Sequence, residues 1–184
     1  MLPIHKETEN IVLSSGARLA GIRFHPAVGY GVLGQHFDSP TLLLPEQDLR
    51  YSLYQIYSEL QILKDNASQI AALHDWVDRN LGFTNIIPGS LVKAMESLKQ
   101  DKTPGQLSAD NELSQRQIER LFKLWLRMTP KRYQRILRMQ KTISFIRQHP
   151  NLELADVAYR FGFSDQAHMT RECRRITRIT PGQI

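Results

Sequence analysis

One stretch of the chain carries side chains of the kind that bond nucleic acid. Residues 165 to 177 are predicted to form a helix whose apolar residues, Met169, Cys173 and Ile176, fall on one side. The polar residues left on the other side are Gln166, His168, Thr170, Arg171, Arg174 and Arg175. Arginine and glutamine bond base edges through paired hydrogen bonds, and cationic and hydroxyl side chains bond phosphates. The spacing therefore predicts a helix that packs with one face and reads DNA with the other.

Two features before this helix would position it. The apolar residues Leu154, Val157, Ala158 and Phe161 recur at the three-and-four spacing of a helix face. Gly162 suits a turn position with positive φ, and Ser164 is predicted to cap the second helix. Residues 154 to 181 are thus predicted to form a helix-turn-helix unit.

The second half of the chain contains this unit twice. A shift of 51 residues superposes Gln115 on Gln166, Arg120 on Arg171, Arg127 on Arg178, Thr129 on Thr180 and Pro130 on Pro181. The same shift pairs Lys123 with Arg174. Because an internal repeat predicts two copies of one supersecondary unit, residues 114 to 126 are the predicted first recognition helix.

A long helix is predicted between the two copies. Thr129 would cap it, Pro130 would begin it, and His149-Pro150 would close it after Gln148. Its length of about 27 Å can hold two recognition helices one DNA turn, about 34 Å, apart. We expect Ile136, Leu137, Met139, Ile143 and Ile146 to pack against both copies, and Arg132, Arg135, Arg138 and Lys141 to bind phosphates.

The basic charge of the chain belongs to its second half. Residues 1–88 hold 6 Lys/Arg and 9 Asp/Glu, a net charge of −3, whereas residues 89–184 hold 18 and 9, a net charge of +9. From Ser114 to Gln148, ten basic residues accompany one acid, Glu119. Solvated helix faces usually intersperse both signs, so this segment predicts a polyanion partner. We expect a partial sensor or dimerisation region over 1–88 and a DNA-binding domain over 89–184.

The first half is predicted to be a small α+β segment. Residues 10–13 and 18–24 flank a Ser14-Ser15-Gly16 turn in the pattern of a β-hairpin. A short helix is expected in the following stretch, whose Gly29, Gly31 and Gly34 lack the strand-turn-helix setting of a phosphate loop. Helices are predicted from Pro45 to Leu63 and from Ala67 to Asn80. The fold class is therefore mainly α: two helix-turn-helix subdomains joined by a long helix and preceded by this segment.

Composition disfavours several classes of protein. Cys173 is the only cysteine, so neither a disulfide framework nor a metal cluster is expected, and no motif predicts a catalytic residue or a cofactor. The N-terminus lacks a secretory leader, and no window of about 18 apolar residues occurs. We expect a cytoplasmic protein without a membrane partner.

Two stretches resemble a known family. GFSDQAHMTRECRRITRITPGQ is similar to the signature of AraC/XylS-type bacterial transcription regulators, and LSQRQIERLFKLWLRMTPKRYQRILRMQKTISFI resembles the first recognition helix and connecting helix of the same domain. The match covers about 95 residues, from near Ser90 to the end. LSSGARLAGIRFHPAVGYGVLG resembles the end of the N-terminal domain of one subgroup. The resemblance implies two helix-turn-helix units joined by a long helix.

The resemblance also implies which side chains face the bases. They are Gln115, Arg116, Glu119 and Arg120 in the first unit, and Gln166, Ala167, Thr170 and Arg171 in the second. The residue pattern adds Lys123, His168 and Arg174 as DNA contacts. Two alternatives stay open: Arg120 and Arg171 either contact DNA or anchor their helices to neighbouring backbone, and His168 either binds a phosphate or lies under the turn.

The first unit departs from the family pattern. Ser108 and Glu112 stand where the second unit has Ala158 and Gly162, so Asn111 is expected to take the left-handed turn conformation. Pro104-Gly105 predicts a short supporting helix in this unit.

Three functions are weighed. The leading hypothesis is a sequence-specific regulator that inserts two recognition helices in successive major grooves of double-stranded DNA, with RNA polymerase and a second copy, through residues 1–88, as further partners. The alternative is a modulator that pairs with or competes against a full-length relative. An alkyl acceptor that uses Cys173 is disfavoured, because Glu172 and the apolar helix face argue against a lowered thiol pKa.

Overall fold

The protein is described by a computed structural model over residues 12, 14–16, 21–41, 52–81 and 86–184. Every regular element among these residues is helical, which confirms the mainly α fold class. The chain divides into two compact units, and the division falls between Gly89 and Ser90. No helix in this part of the chain is long and apolar enough to span a membrane.

The described part of the first unit consists of three helices. They are α1 (Val28–Leu33), α2 (Leu53–Ile62) and α3 (Asn66–Leu81). Their buried core contains Val32, Ile56, Ala72 and Trp76. The Gln69 side chain donates from Nε2 to the carbonyls of Leu60 and Leu63, at 3.0 and 2.9 Å, and so ties α3 to the end of α2.

The predicted β-hairpin is not supported. Residues 10, 11, 13 and 18–20 lie outside the described residues, and the described part, including residues 21–24, holds no strand. Gly16 has the positive φ, 79°, that its predicted turn position requires. The predicted start of a helix at Pro45 falls in residues 42–51, which lie outside the described residues. The described helix α2 begins at Leu53, directly after Ser52, whose φ of 53° is left-handed.

The second unit contains the repeat. Its helices are α4 (Gly89–Lys99, whose first residue ends the first unit), α5 (Leu107–Asp110), α6 (Gln115–Leu126), α7 (Pro130–Gln148), α8 (Leu154–Arg160) and α9 (Gln166–Thr177). Short 3₁₀ turns cover Pro104–Gln106 and Pro181–Gln183. α8 packs on α9, α5 packs on α6, and α7 contacts both α6 and α9.

Helices α6 and α9 agree in length and in how they end, which confirms the 51-residue repeat. Each has 12 residues. Each ends at an arginine in the left-handed conformation, Arg127 with φ 52° and Arg178 with φ 65°. A Thr-Pro pair then starts the next helical turn in both copies. As predicted, the Thr129 side chain accepts from the Arg132 amide, Pro130 is the first helical residue, and His149 ends α7.

The predicted cap of α9 is wrong by one residue. Asp165, not Ser164, is the N-cap, and its Oδ1 accepts from the His168 amide at 2.6 Å. Its backbone is extended, with φ −164°, which aims the carboxylate at the free amides of the first turn. The Ser164 hydroxyl instead donates to Asp165 Oδ2 at 3.1 Å.

The turn of the first helix-turn-helix also differs from prediction. Leu107, not Ser108, is the fully buried counterpart of Ala158, since Ser108 and Glu112 are both exposed. Asn111 is extended, with φ −120°, rather than left-handed. Its Nδ2 donates to the Leu107 carbonyl at 2.8 Å, so the side chain rather than a positive φ ends the helix. As predicted, the supporting helix is short.

The second helix-turn-helix is built on one core shared with α7. Its buried residues are Met139, Ile146, Val157, Ala158, Phe163, Met169 and Cys173. Gly162, with φ 68°, makes the predicted turn between α8 and α9. On the other side of α7, the Phe122 ring of α6 meets Tyr133 edge to face, 5.7 Å between centroids. The connecting helix therefore belongs to the core of the second subdomain and packs on the first.

Candidate nucleic-acid interface

Helix α6 has one buried face and one charged face. Ile118, Phe122 and Leu126 are buried at the three-and-four spacing. The exposed face of the helix carries Arg116, Glu119, Arg120 and Lys123. Ser114 starts the helix with a capping box, in which the Ser114 amide donates to Gln117 Oε1. The predicted contact residues of the first unit thus share one surface.

Helix α9 repeats this arrangement. Met169 and Cys173 are fully buried, whereas Gln166, Ala167, Arg171 and Arg174 are exposed. Thr170 is half-buried beside them. Since α6 and α9 have the same length and both end at a left-handed arginine, equivalent residues such as Lys123 and Arg174 occupy equivalent places on their helices.

Several of these cations are not used by the fold. In the described part of the chain, the side chains of Arg116, Arg120, Lys123 and Arg174 form no hydrogen bond or ion pair. Arg171 interacts electrostatically with Asp165, the cap of its own helix. Neither Arg120 nor Arg171 bonds neighbouring backbone within the described residues, so the structure does not favour the anchoring alternative.

Gln115 is held back from solvent. Its Nε2 donates to Glu119 Oε1 at 3.1 Å along the same helix face. Its Oε1 is buried without a partner among the described residues. An unsatisfied amide oxygen is costly to keep buried.

His168 lies under the turn of the second unit. The ring is half-buried and meets Phe163 edge to face, 5.5 Å between centroids. Its Nδ1 is 3.1 Å from the Ser164 hydroxyl. Of the two alternatives for His168, a phosphate contact or a position under the turn, the structure shows the ring under the turn between α8 and α9.

Four basic residues of α7 were predicted to bind phosphates, and three of them, Arg135, Arg138 and Lys141, bond protein groups in the structure. Arg135 Nε donates to Glu172 Oε2 at 2.6 Å, and Arg135 Nη2 donates to the other carboxylate oxygen. Arg138 Nη1 donates to the Gly162 carbonyl at 3.1 Å, and Lys141 Nζ lies 2.7 Å from Asp101 Oδ1. Their charged groups bond acceptors within the protein. These acceptors are distant from α7 in the sequence, so residue spacing alone did not indicate the contacts.

Glu172 is a buried, ion-paired residue that sequence reasoning did not single out. It is only 6% exposed, yet it carries a carboxylate on the buried side of α9. Buried carboxylates need paired cations, and here Arg135 is joined by Arg175, whose Nη2 is 3.3 Å from Glu172 Oε1. Its position could have indicated this burial, because Glu172 directly precedes the apolar Cys173 on the helix side that packs.

The only cysteine is not a reactive group. Cys173 is fully buried, and burial raises the pKa of its thiol. Its Sγ is 3.4 Å from both the Thr177 hydroxyl and the Ile179 carbonyl. A buried thiol with a raised pKa is a poor nucleophile, so the geometry gives no support to an alkyl-acceptor function.

Comparison with known proteins agrees with this geometry. Residues 107–184 match the family model described as a helix-turn-helix domain. Similar proteins include the HTH-type transcriptional activator RhaS of Escherichia coli strains HS and K12/DH10B, each 29% identical over 122 residues. The match covers 66% of this chain and 37% of each relative, so the chain spans little more than a third of their length. No solved structure gives a significant match.

Proposed function

We propose that this chain is an AraC/XylS-type transcription regulator, which binds double-stranded DNA sequence-specifically and regulates transcription; the helix-turn-helix match and the similarity to RhaS support the proposal. The observation that carries the proposal is the pair of equivalent 12-residue helices, α6 and α9, each with a buried back and an exposed front of base-bonding side chains. The family is one of regulators rather than enzymes. A chromosomal DNA target would place this activity in the cytoplasm.

Docking would insert α6 and α9 in successive major grooves. Both contact α7, whose 19 residues span about 28 Å. Successive grooves on one face of DNA are about 34 Å apart. Because α6 and α9 pack beside α7, the distance between them can exceed the length of α7. The length of α7 is therefore compatible with the distance between successive major grooves.

The exposed residues divide by the chemistry they offer. Arg116, Arg120 and Arg171 can each form two hydrogen bonds with guanine, Gln115 and Gln166 can do so with adenine, and Glu119 can accept from cytosine. Ala167 and Thr170 offer methyl groups to thymine. Lys123 and Arg174 supply phosphate contacts, and His168, which lies under the turn, could reach a phosphate only with its outer ring nitrogen.

Salt titration of DNA binding tests the proposal. The full chain is mixed with a labelled random-sequence duplex, and fluorescence anisotropy is recorded between about 50 and 200 mM salt. Counterion release predicts a linear loss of log affinity with log salt concentration. The double variant Lys123→Ala, Arg174→Ala should show a shallower slope, whereas no binding by the wild-type chain, or binding insensitive to salt, would contradict the proposal.

A second candidate is a modulator that pairs with another regulator chain. The observation in its favour is a set of exposed apolar side chains on α2 and α3: Tyr54, Tyr57, Ile62 and Ile70. Exposed apolar patches often mark protein interfaces, and the same surface would serve a homodimer. Analytical ultracentrifugation of the purified chain, alone and with a full-length relative, distinguishes self-association from mixed pairing, and a monomer in both samples would contradict either role.

RNA polymerase is a further proposed partner, because a regulator bound at a promoter acts through it. Pull-down of purified polymerase by the DNA-bound chain, with the DNA-free chain as the control, tests this partner.

A further inference from the structure

Two polar side chains of α7 bond the last residue of α4 and the segment that follows it. Gln134 Nε2 donates to the Lys102 carbonyl at 3.1 Å. Lys141 Nζ donates to the Lys99 carbonyl at 3.0 Å and meets both oxygens of Asp101, at 2.7 and 2.8 Å. Gln134 and Lys141 are seven residues apart and so lie on one face of the helix. This face joins α7 to the first subdomain at two points along its length.

Two other side chains of α7 bond the second helix-turn-helix. Arg135 holds both oxygens of Glu172 on α9. The Arg138 guanidinium lies 4.2 Å from the centre of the Phe163 ring, and its Nη1 bonds the Gly162 carbonyl in the turn before α9. The four residues Gln134, Arg135, Arg138 and Lys141, called here the bridging residues, thus occupy two turns of one helix and contact both subdomains.

The contact between Arg135 and Glu172 is the one most able to define an orientation. An arginine that binds both oxygens of a carboxylate fixes the plane and direction of the two groups, whereas apolar packing tolerates sliding. The Glu172 side chain is 9% exposed and the Arg135 side chain is 31% exposed, so water competes little for this carboxylate. Rotation of α9 about its own axis would break both hydrogen bonds.

We propose that Arg135 and Glu172 are positioning residues: they set the orientation of α9 relative to α6, and through it the half-site spacing that the protein accepts on DNA. Neither residue contacts a base in this account, because both charged groups are bonded to each other between α7 and α9. The half-site part of the proposal rests on the proposed DNA-binding function. The orientation part concerns the protein alone.

A distance measurement without DNA tests the orientation part. Spin labels are placed at Lys123→Cys and Arg174→Cys, which are exposed and equivalent on α6 and α9, while Cys173 is buried and remains unlabelled. Double electron–electron resonance should give one narrow distance distribution in the wild-type background. Glu172→Gln should broaden it at least about twofold, because a neutral amide cannot hold the arginine through two charge-assisted bonds.

The matched control is Glu96→Gln. This change removes a carboxylate from the ion pair of Glu96 with Lys99, both residues of α4, and leaves the Arg135–Glu172 contact between α7 and α9 in place. Its distribution should equal that of the wild type. A distribution for Glu172→Gln as narrow as that of the control would overturn the proposal. If Glu172→Gln does not fold, Arg135→Lys replaces it, since lysine keeps the charge without the two-bond geometry.

A spacing series on DNA tests the functional part. Duplexes obtained by selection with the wild-type chain are rebuilt with the two half-sites moved closer or further apart by one or two base pairs. The wild type should prefer one spacing by at least about tenfold, and Glu172→Gln and Arg135→Lys should reduce that preference severalfold while Glu96→Gln retains it. Failure of the wild type to bind any duplex would refute the proposed function, whereas equal preference in wild type and Glu172→Gln would refute only the positioning role.

Discussion

Replacement of Arg171 by alanine separates base reading from phosphate binding on α9. Arg171 is exposed, and its one electrostatic neighbour among the described residues is Asp165, so the change removes little that the fold needs. Loss of one arginine-to-guanine contact costs about 1 to 3 kcal/mol on the cognate site, which corresponds to about a 5- to 140-fold weaker affinity. Affinity for random duplex should change much less, because a base contact contributes only on the correct sequence.

The assay is fluorescence anisotropy of the full chain with a selected duplex and with random duplex, each titrated with salt. The matched control is Arg147→Ala, which removes the same charge from the exposed last turn of α7. Arg171→Ala should lower cognate affinity and leave the salt slope unchanged. Equal weakening on both duplexes, with a slope reduced by about one, would show that Arg171 binds a phosphate, and the reading role assigned to it would be refuted.

Three further changes test the local structure of the second unit. Gly162→Ala should destabilise the fold by about 1 to 2 kcal/mol in urea unfolding, because a residue with a Cβ is strained at φ +68°. The added Cβ has no neighbour within 4 Å, so this cost comes from the backbone conformation alone, and Gly182→Ala should be near neutral. Asp165→Ala should lower the melting temperature more than Ser164→Ala at neutral pH. The Asp165 pKa is lowered mainly by the His168 amide, so its stabilisation is present above about pH 4 and is lost as pH falls through the lower folded value; the gap between wild type and variant should close in acid. Cys173 should react with iodoacetamide slowly when folded and rapidly in urea, and fast labelling of the folded chain would reopen the alkyl-acceptor hypothesis.

The features that could be predicted from the sequence are those set by local rules. The spacing of apolar residues, the Thr129-Pro130 pair and Gly162 each determine a nearby backbone conformation, and the structure has the helix boundaries and the turn that they predict. The repeat added long-range information, since one unit predicts the form of the other. For these reasons the helices that carry the candidate contacts were located from residue types alone.

The features that could not be predicted depend on contacts between distant residues. Arg135 and Lys141 look like phosphate ligands in a basic segment, and only the fold shows that Glu172, 37 residues away, and Asp101, 40 residues away, hold them. The choice of cap between Ser164 and Asp165 fails for a different reason. Both residue types cap helices well, and the extended backbone of Asp165 decides between them.

Selection of bound sequences from a random duplex pool tests the central claim most directly. The full wild-type chain is incubated with the pool at near-physiological salt, and the recovered duplexes are sequenced over several rounds. Two recognition helices in successive major grooves predict two enriched clusters of base pairs, with centres about 10 base pairs apart. Recovery of one cluster alone, or of no enriched sequence, would contradict the account of this chain as a bipartite reader of DNA.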